Sequence, residues 1–173
     1  MLRIIATPAI VFFILRSDEG SSVPATIIFL LAAITDFFDG LLARRMDKVT
    51  KIGKKADPLA DRLLISGTII ALAIQGSLPV VGVILVAARD LFIIVGYKLL
   101  EERGVELGVS AAGKTYTALI MVAILLSMTG VEINGVRPGW WLFWAGVAGS
   151  IVSGAIYVVT GLQHLRASTE TKV

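Results

Sequence analysis

The sequence predicts an all-α membrane protein, one domain over residues 1–173 built as a bundle of six transmembrane helices. Three observations predict it. Of the 173 residues 56% are hydrophobic and the mean hydropathy is +0.86, far above the values of soluble domains. Apolar runs without charge recur at lengths near the roughly 20 residues that cross the hydrocarbon core. The basic residues also sort by connection: Arg3, Arg44, Arg45, Lys48, Lys51, Lys54, Lys55, Lys98, Arg103, Lys114, Arg166 and Lys172 fall on one side, Arg16 and Arg137 on the other. Basic residues of short loops stay cytoplasmic, so both termini are expected in the cytoplasm of a cell whose cytoplasmic membrane holds the chain.

The first element, Leu2 to Leu15, is only about 21 Å long at 1.5 Å per residue. It lacks a signal-peptidase-like site and is read as a retained helix. Its shortness implies either missing residues upstream of Met1 or a locally thinned bilayer. The second runs from Val23 to Leu42, the third from Ala56 to Gln75, the fourth from Val80 to Leu99. The fifth, Thr115 to Thr129, is short but extends backwards through "VSAAGK", and the sixth is Trp140 to Leu162. Trp140, Trp141 and Trp144 mark where the sixth helix enters the far interface, as an aromatic belt does. Small residues in "AGVAGSIVSGAIY" have the spacing that lets helices approach closely, inside the bundle by default and at a homodimer seam as the second reading. The lysine-rich second connection can attract anionic lipid headgroups, although topology alone explains its charge. No nucleic-acid partner is expected.

Chemistry concentrates in "DFFDGLLARRMDKVTKIGKKADPLAD", residues 36–61. A charged carboxylate at the centre of a membrane helix costs about 3 kcal/mol, so four need compensation. Asp36 and Asp39 are three apart near the end of the second helix, Asp57 and Asp61 four apart at the start of the third. Residues at those spacings share a helix face. The short connection makes the two helices antiparallel neighbours, which points all four carboxylates into one cytoplasmic-side pocket. Divalent cations would relieve their repulsion, and all-oxygen ligation suits Mg²⁺, Mn²⁺ or Ca²⁺, with Mg²⁺ or Mn²⁺ favoured beside a phosphate. With no cysteine in the chain, thiol and zinc-thiolate chemistry is excluded. His164, after the last helix, is read as an interfacial residue and Asp47 as a loop residue. Gly40 and Ala43 fall within roughly 40° of Asp36 around the helix, leaving a nearly bare wall for a bulky ligand. Arg44 at the mouth can grip phosphate oxygens in a bidentate way, and Gly53 in the connection gives a close approach or a turn with positive φ.

The eight fixed positions of Asp36-x2-Asp39-Gly40-x2-Ala43-Arg44-x8-Gly53-x3-Asp57-x3-Asp61 resemble the signature of the CDP-alcohol phosphotransferases, with every position filled. The resemblance implies a six-helix membrane domain with its active site at the cytoplasmic side. It implies that Asp36, Asp39, Asp57 and Asp61 ligate two divalent cations, that Asp61 is also the base for the acceptor hydroxyl, and that Gly40, Ala43, Arg44 and Gly53 hold the CDP part of CDP-diacylglycerol. Arg3 matches the first membrane arginine of that family. Within it, "TDFFDGLLARR", "DPLADRLL" and "ARDLFIIVGYKLLEERGVELGVSAAGKTYTALIM" look like the phosphatidylglycerophosphate synthases, which makes glycerol 3-phosphate the expected acceptor. Inositol phosphate, serine or another small alcohol would be used by the same chemistry. An acceptor carrying a phosphomonoester needs further cations, for which Arg89 and Lys114 are the candidates. Arg89 with Asp90 beside it also reads as a structural ion pair, and Lys114 as a snorkelling lysine. Arg62 points about 100° away from Asp61 and is read as a partner for a lipid phosphate or a neighbouring helix rather than a substrate ligand. Tyr116 stands in "GKTYT" where a basic residue is sometimes found. A cation transporter is the reading from another class, but it calls for midplane acids in two related halves, and these acids lie toward one face in a single helix pair.

Overall fold

The computed structural model describes the backbone of residues 2–45, 51–101 and 111–170, with side chains described over 3–18, 20–35, 38, 61–96, 115–161 and 163. Six α-helices follow in order: α1 (Leu2–Leu15), α2 (Val23–Arg45), α3 (Lys51–Ile74), α4 (Val80–Glu101), α5 (Ala111–Thr129) and α6 (Pro138–Glu170). A single 3-10 turn, Asp18–Gly20, joins α1 to α2. All six expected helices are present, and α1 has the expected bounds. The others extend beyond their apolar runs. The largest extension is in α6, which reaches about 50 Å because the helix continues through "QHLRASTE" after the last apolar turn. The third helix starts at Lys51, so Gly53 lies inside α3 rather than in the connection, which corrects the expectation of a turn there.

In α1, Arg3, Ala6, Ile10 and Ile14 form one buried stripe, while Ile5 and Phe12 face outward. The stripe packs on α3, where the γ-methyl of Thr7 lies against Gly67. Gln75 Nε2 donates to the carbonyls of Ile14 and Leu15, at 3.2 and 2.8 Å, and so caps the end of α1. These contacts make α1 and α3 parallel. A Schellman motif ends α3: Ser77 N donates to Leu72 O at 2.9 Å and Gly76 N to Ala73 O at 3.1 Å, with Gly76 at φ +77°. Among the described residues α1 packs on both α2 and α3, and α2 finds its other neighbour in α5. Over the described residues α1 thus lies against both helices that carry the signature.

The tightest pair is α5 with α6, which run antiparallel. A β-carbon on Gly139 would lie 2.7 Å from Ser127 N and 3.0 Å from Ala123 O, and one on Gly146 would lie 2.7 Å from the Ile120 side chain. The small-residue stripe of α6 is thus used inside the chain. The α5–α6 connection is a miniature hairpin in which Ile133 and Val136 exchange hydrogen bonds of 2.9 and 3.0 Å across Asn134 and Gly135. Their φ values of 52° and 75° match a type I′ turn, for which Asn-Gly is the favoured pair. On the other side of α6, α4 runs parallel to it. Gly82 meets Phe143, Arg89 meets Ser150, and Gly96 meets Tyr157, each seven residues after the last on both helices. That repeat is the register of a coiled-coil-like seam.

Candidate active site

Asp36, Asp39, Gly40, Ala43 and Arg44 all lie on α2, and Gly53, Asp57 and Asp61 on α3, so the backbone is helical through every position of the signature. Of these only Asp61 has a described side chain; the pocket expected from the other side chains, and that of Lys114 in the first turn of α5, lies outside the described residues. Among the described residues no three metal-capable side chains come together.

Asp61 forms an ion pair with Arg3. The arginine is 7% exposed and the carboxylate 41% exposed, so a buried cation holds an open anion. Arg3 reaches it because it belongs to the buried stripe of α1, and Thr7 Oγ1 donates to Arg3 O at 2.7 Å in the turn that carries it. A carboxylate held at one oxygen keeps lone pairs free for a metal or a proton. Sequence reasoning placed Arg3 by resemblance but gave it no partner; the available signal was an arginine in register with Ala6, Ile10 and Ile14.

Arg89 sits in a different environment. Its Nε donates to Ser150 O at 3.2 Å, Nη2 to Ser153 Oγ at 3.0 Å, and Nη1 to Asp90 Oδ1 at 2.8 Å and to the Tyr116 hydroxyl. The Tyr116 hydroxyl in turn donates to Asp90 Oδ1 at 3.4 Å, and the guanidinium carbon stands 4.3 Å from the Tyr116 ring centroid. A guanidinium has five N–H donors, and four are engaged in these contacts. The side chain is 10% exposed. Arg89 forms the ion pair with Asp90 and ties α4 to α5 and α6. Tyr116, Ser150 and Ser153, which the sequence gave no role with Arg89, complete its shell. Only the spacing of the two serines along α6 hinted at it. Arg62 has the opposite character, with Nη1 buried and no hydrogen-bond partner.

The family model described as CDP-alcohol phosphatidyltransferase matches residues 1–152, from α1 into α6. The chain belongs to the CDP-alcohol phosphatidyltransferase family. Two curated relatives carry the name CDP-diacylglycerol–glycerol-3-phosphate 3-phosphatidyltransferase. The one from Rickettsia bellii is 30% identical over 169 residues, covering 95% of this chain and 90% of the relative. The one from Escherichia coli K12 is 31% identical over 179 residues, covering 97% and 91%. The similarity runs through all six helices of a family fold that positions the signature on α2 and α3. Asp61, Arg3 and the Arg89 cluster all lie within the matched region.

Proposed function

We propose that this chain transfers the phosphatidyl group of CDP-diacylglycerol to the hydroxyl of glycerol 3-phosphate, giving phosphatidylglycerol phosphate and CMP. What carries the reading is the similarity to relatives of that name over nine-tenths or more of both chains, together with a signature filled at all eight positions. The acceptor oxygen attacks the phosphorus that bears diacylglycerol. A new P–O bond forms as the bond to CMP breaks, CMP leaves with the electron pair, and Asp61 takes the hydroxyl proton. Gly40, Ala43, Arg44 and Gly53 hold the CDP part, and Lys114 binds the acceptor's phosphate.

The donor set fits divalent cations. It is entirely carboxylate, its members are spaced to share helix faces on α2 and α3, and Asp61 is accessible at 41% exposure. Two Mg²⁺ or Mn²⁺ ions held by Asp36, Asp39, Asp57 and Asp61 would neutralise charge on the pyrophosphate.

The whole chain is one membrane domain with six spans, and both termini and the site face the cytoplasm. Among the described residues one segment, Pro138–Gly161, is by itself long and apolar enough to cross a membrane, and Arg3–Leu15, Val23–Thr35 and Thr115–Thr129 are apolar but shorter. Large apolar side chains on the outside of the bundle support spans for the others: Phe12 on α1, Leu31 on α2, Ile70 on α3, Phe92 on α4 and Val122 on α5 are all exposed. The cluster of Trp140 with Trp141 and Trp144, at centroid distances of 5.1 and 6.0 Å, supports an interface at the start of α6.

The test is CMP release by the purified chain given CDP-diacylglycerol, Mg²⁺ or Mn²⁺, and a panel of glycerol 3-phosphate, inositol phosphate and serine. Glycerol 3-phosphate is expected to give the highest kcat/KM, with activity lost on chelation. Release with serine alone would overturn the assignment of the acceptor.

A further inference from the structure

We infer that Arg62 is the guanidinium that receives the phosphomonoester of the acceptor and so sets acceptor specificity. This rests on the proposed function and names a residue for its least determined part. Arg62 Nη1 is buried without a hydrogen-bond partner, although that nitrogen carries two N–H donors. A buried guanidinium nitrogen without a partner is unfavourable, and an anion would complete it. Arg62 lies one residue from the Asp61 carboxylate on α3, turned about 100° from it around the helix axis. That helix packs on α5.

The neighbouring candidate is less suited. Arg89 has four N–H donors committed to Asp90, Tyr116, Ser150 and Ser153, so it has one to offer and cannot make a bidentate contact without breaking its own shell. A small alcohol that carries a phosphate has two ends to satisfy, a hydroxyl at a base and a dianion at a cation. Asp61 and Arg62 supply those two groups from consecutive residues. A donor pyrophosphate would be served by the same chemistry at Arg62, so the test separates the two sources.

Arg62→Ala and Arg62→Lys are compared with wild type in detergent, each with a thermal melt as a folding control. For Arg62→Ala the KM for glycerol 3-phosphate is expected to rise about 10- to 100-fold, the scale of a lost hydrogen bond to a charged group, with the KM for CDP-diacylglycerol unchanged. Arg62→Lys should recover part of the loss, because an ammonium restores the charge but not the planar fork. A rise confined to the donor KM, or equal rises in both, would overturn the inference. Phosphorus NMR of inorganic phosphate gives a readout independent of turnover: line broadening by wild-type protein should be lost in Arg62→Ala and partly kept in Arg62→Lys. Equal broadening by all three overturns the inference whatever the acceptor. Wild-type preference for an unphosphorylated alcohol would defeat the functional reading, and phosphate binding lost in Arg62→Ala would then still mark Arg62 as an anion site.

Discussion

Arg62 on α3 and Arg89 on α4 both hold guanidinium nitrogens away from solvent, and they differ in what completes them. Arg89 is enclosed by Asp90, the Tyr116 ring and hydroxyl, and two serines of α6. Arg62 has a buried nitrogen with no hydrogen-bond partner beside an aspartate whose carboxylate stays open. The first arrangement is a finished polar network, of the kind that fixes the register of packed helices. The second is unfinished and gains its last partner from a ligand. An intramembrane charge marks function by default, and the two arginines show that the default must be tested against hydrogen-bond saturation.

Three substitutions test this contrast from its strongest side to its weakest. Asp61→Asn should lower kcat for CMP release by about 10³-fold, the scale of general-base removal, in a chain that still folds and binds CDP-diacylglycerol, with any drop in melting temperature reporting the lost pair with Arg3. Normal turnover by that variant would detach the open end from the chemistry. Arg89→Ala should destabilise the fold by about 3 kcal/mol, because it leaves Asp90 and Tyr116 without their cation. Thermal denaturation in detergent reads the loss, and in the folded fraction the ratio of the two substrates' KM values should stay as in wild type. A selective rise in the acceptor KM would return Arg89 to the substrate. Gly139→Ala should cost about 1–3 kcal/mol through overpacking against the Ser127 and Ala123 backbone, with kinetics unchanged below the melt. An unaltered melt would show that α5 and α6 have room to separate.

The helices were legible because each is a run of apolar residues bounded by charge or by glycine, and such runs need no knowledge of their neighbours. Leu2–Leu15 was read with its ends in place, and Thr129 was read as the end of α5. Where polar helix-formers follow the apolar stretch, as in "QHLRASTE" at the end of α6 or "KIGKK" at the start of α3, hydropathy stopped short of the helix. Gly53 reads as part of the connection because a glycine among lysines resembles a loop; the helix instead runs through it. The signature was equally legible, since its residues are close in sequence, and the backbone is helical through all of them.

By itself the sequence determined the order and type of the six helices, the family signature and the spacing of its aspartates along α2 and α3. Each of these depends on residues within a turn or two of one another, where chemical preference and helical period suffice. The tertiary structure decided that Arg3 holds Asp61, that the small residues of α6 are used inside the chain, and that Arg89 rather than Arg62 is saturated. Those outcomes depend on the register between helices, which brings Arg89 to Ser150, 61 residues away, and no local pattern encodes which side chains a parallel neighbour will present.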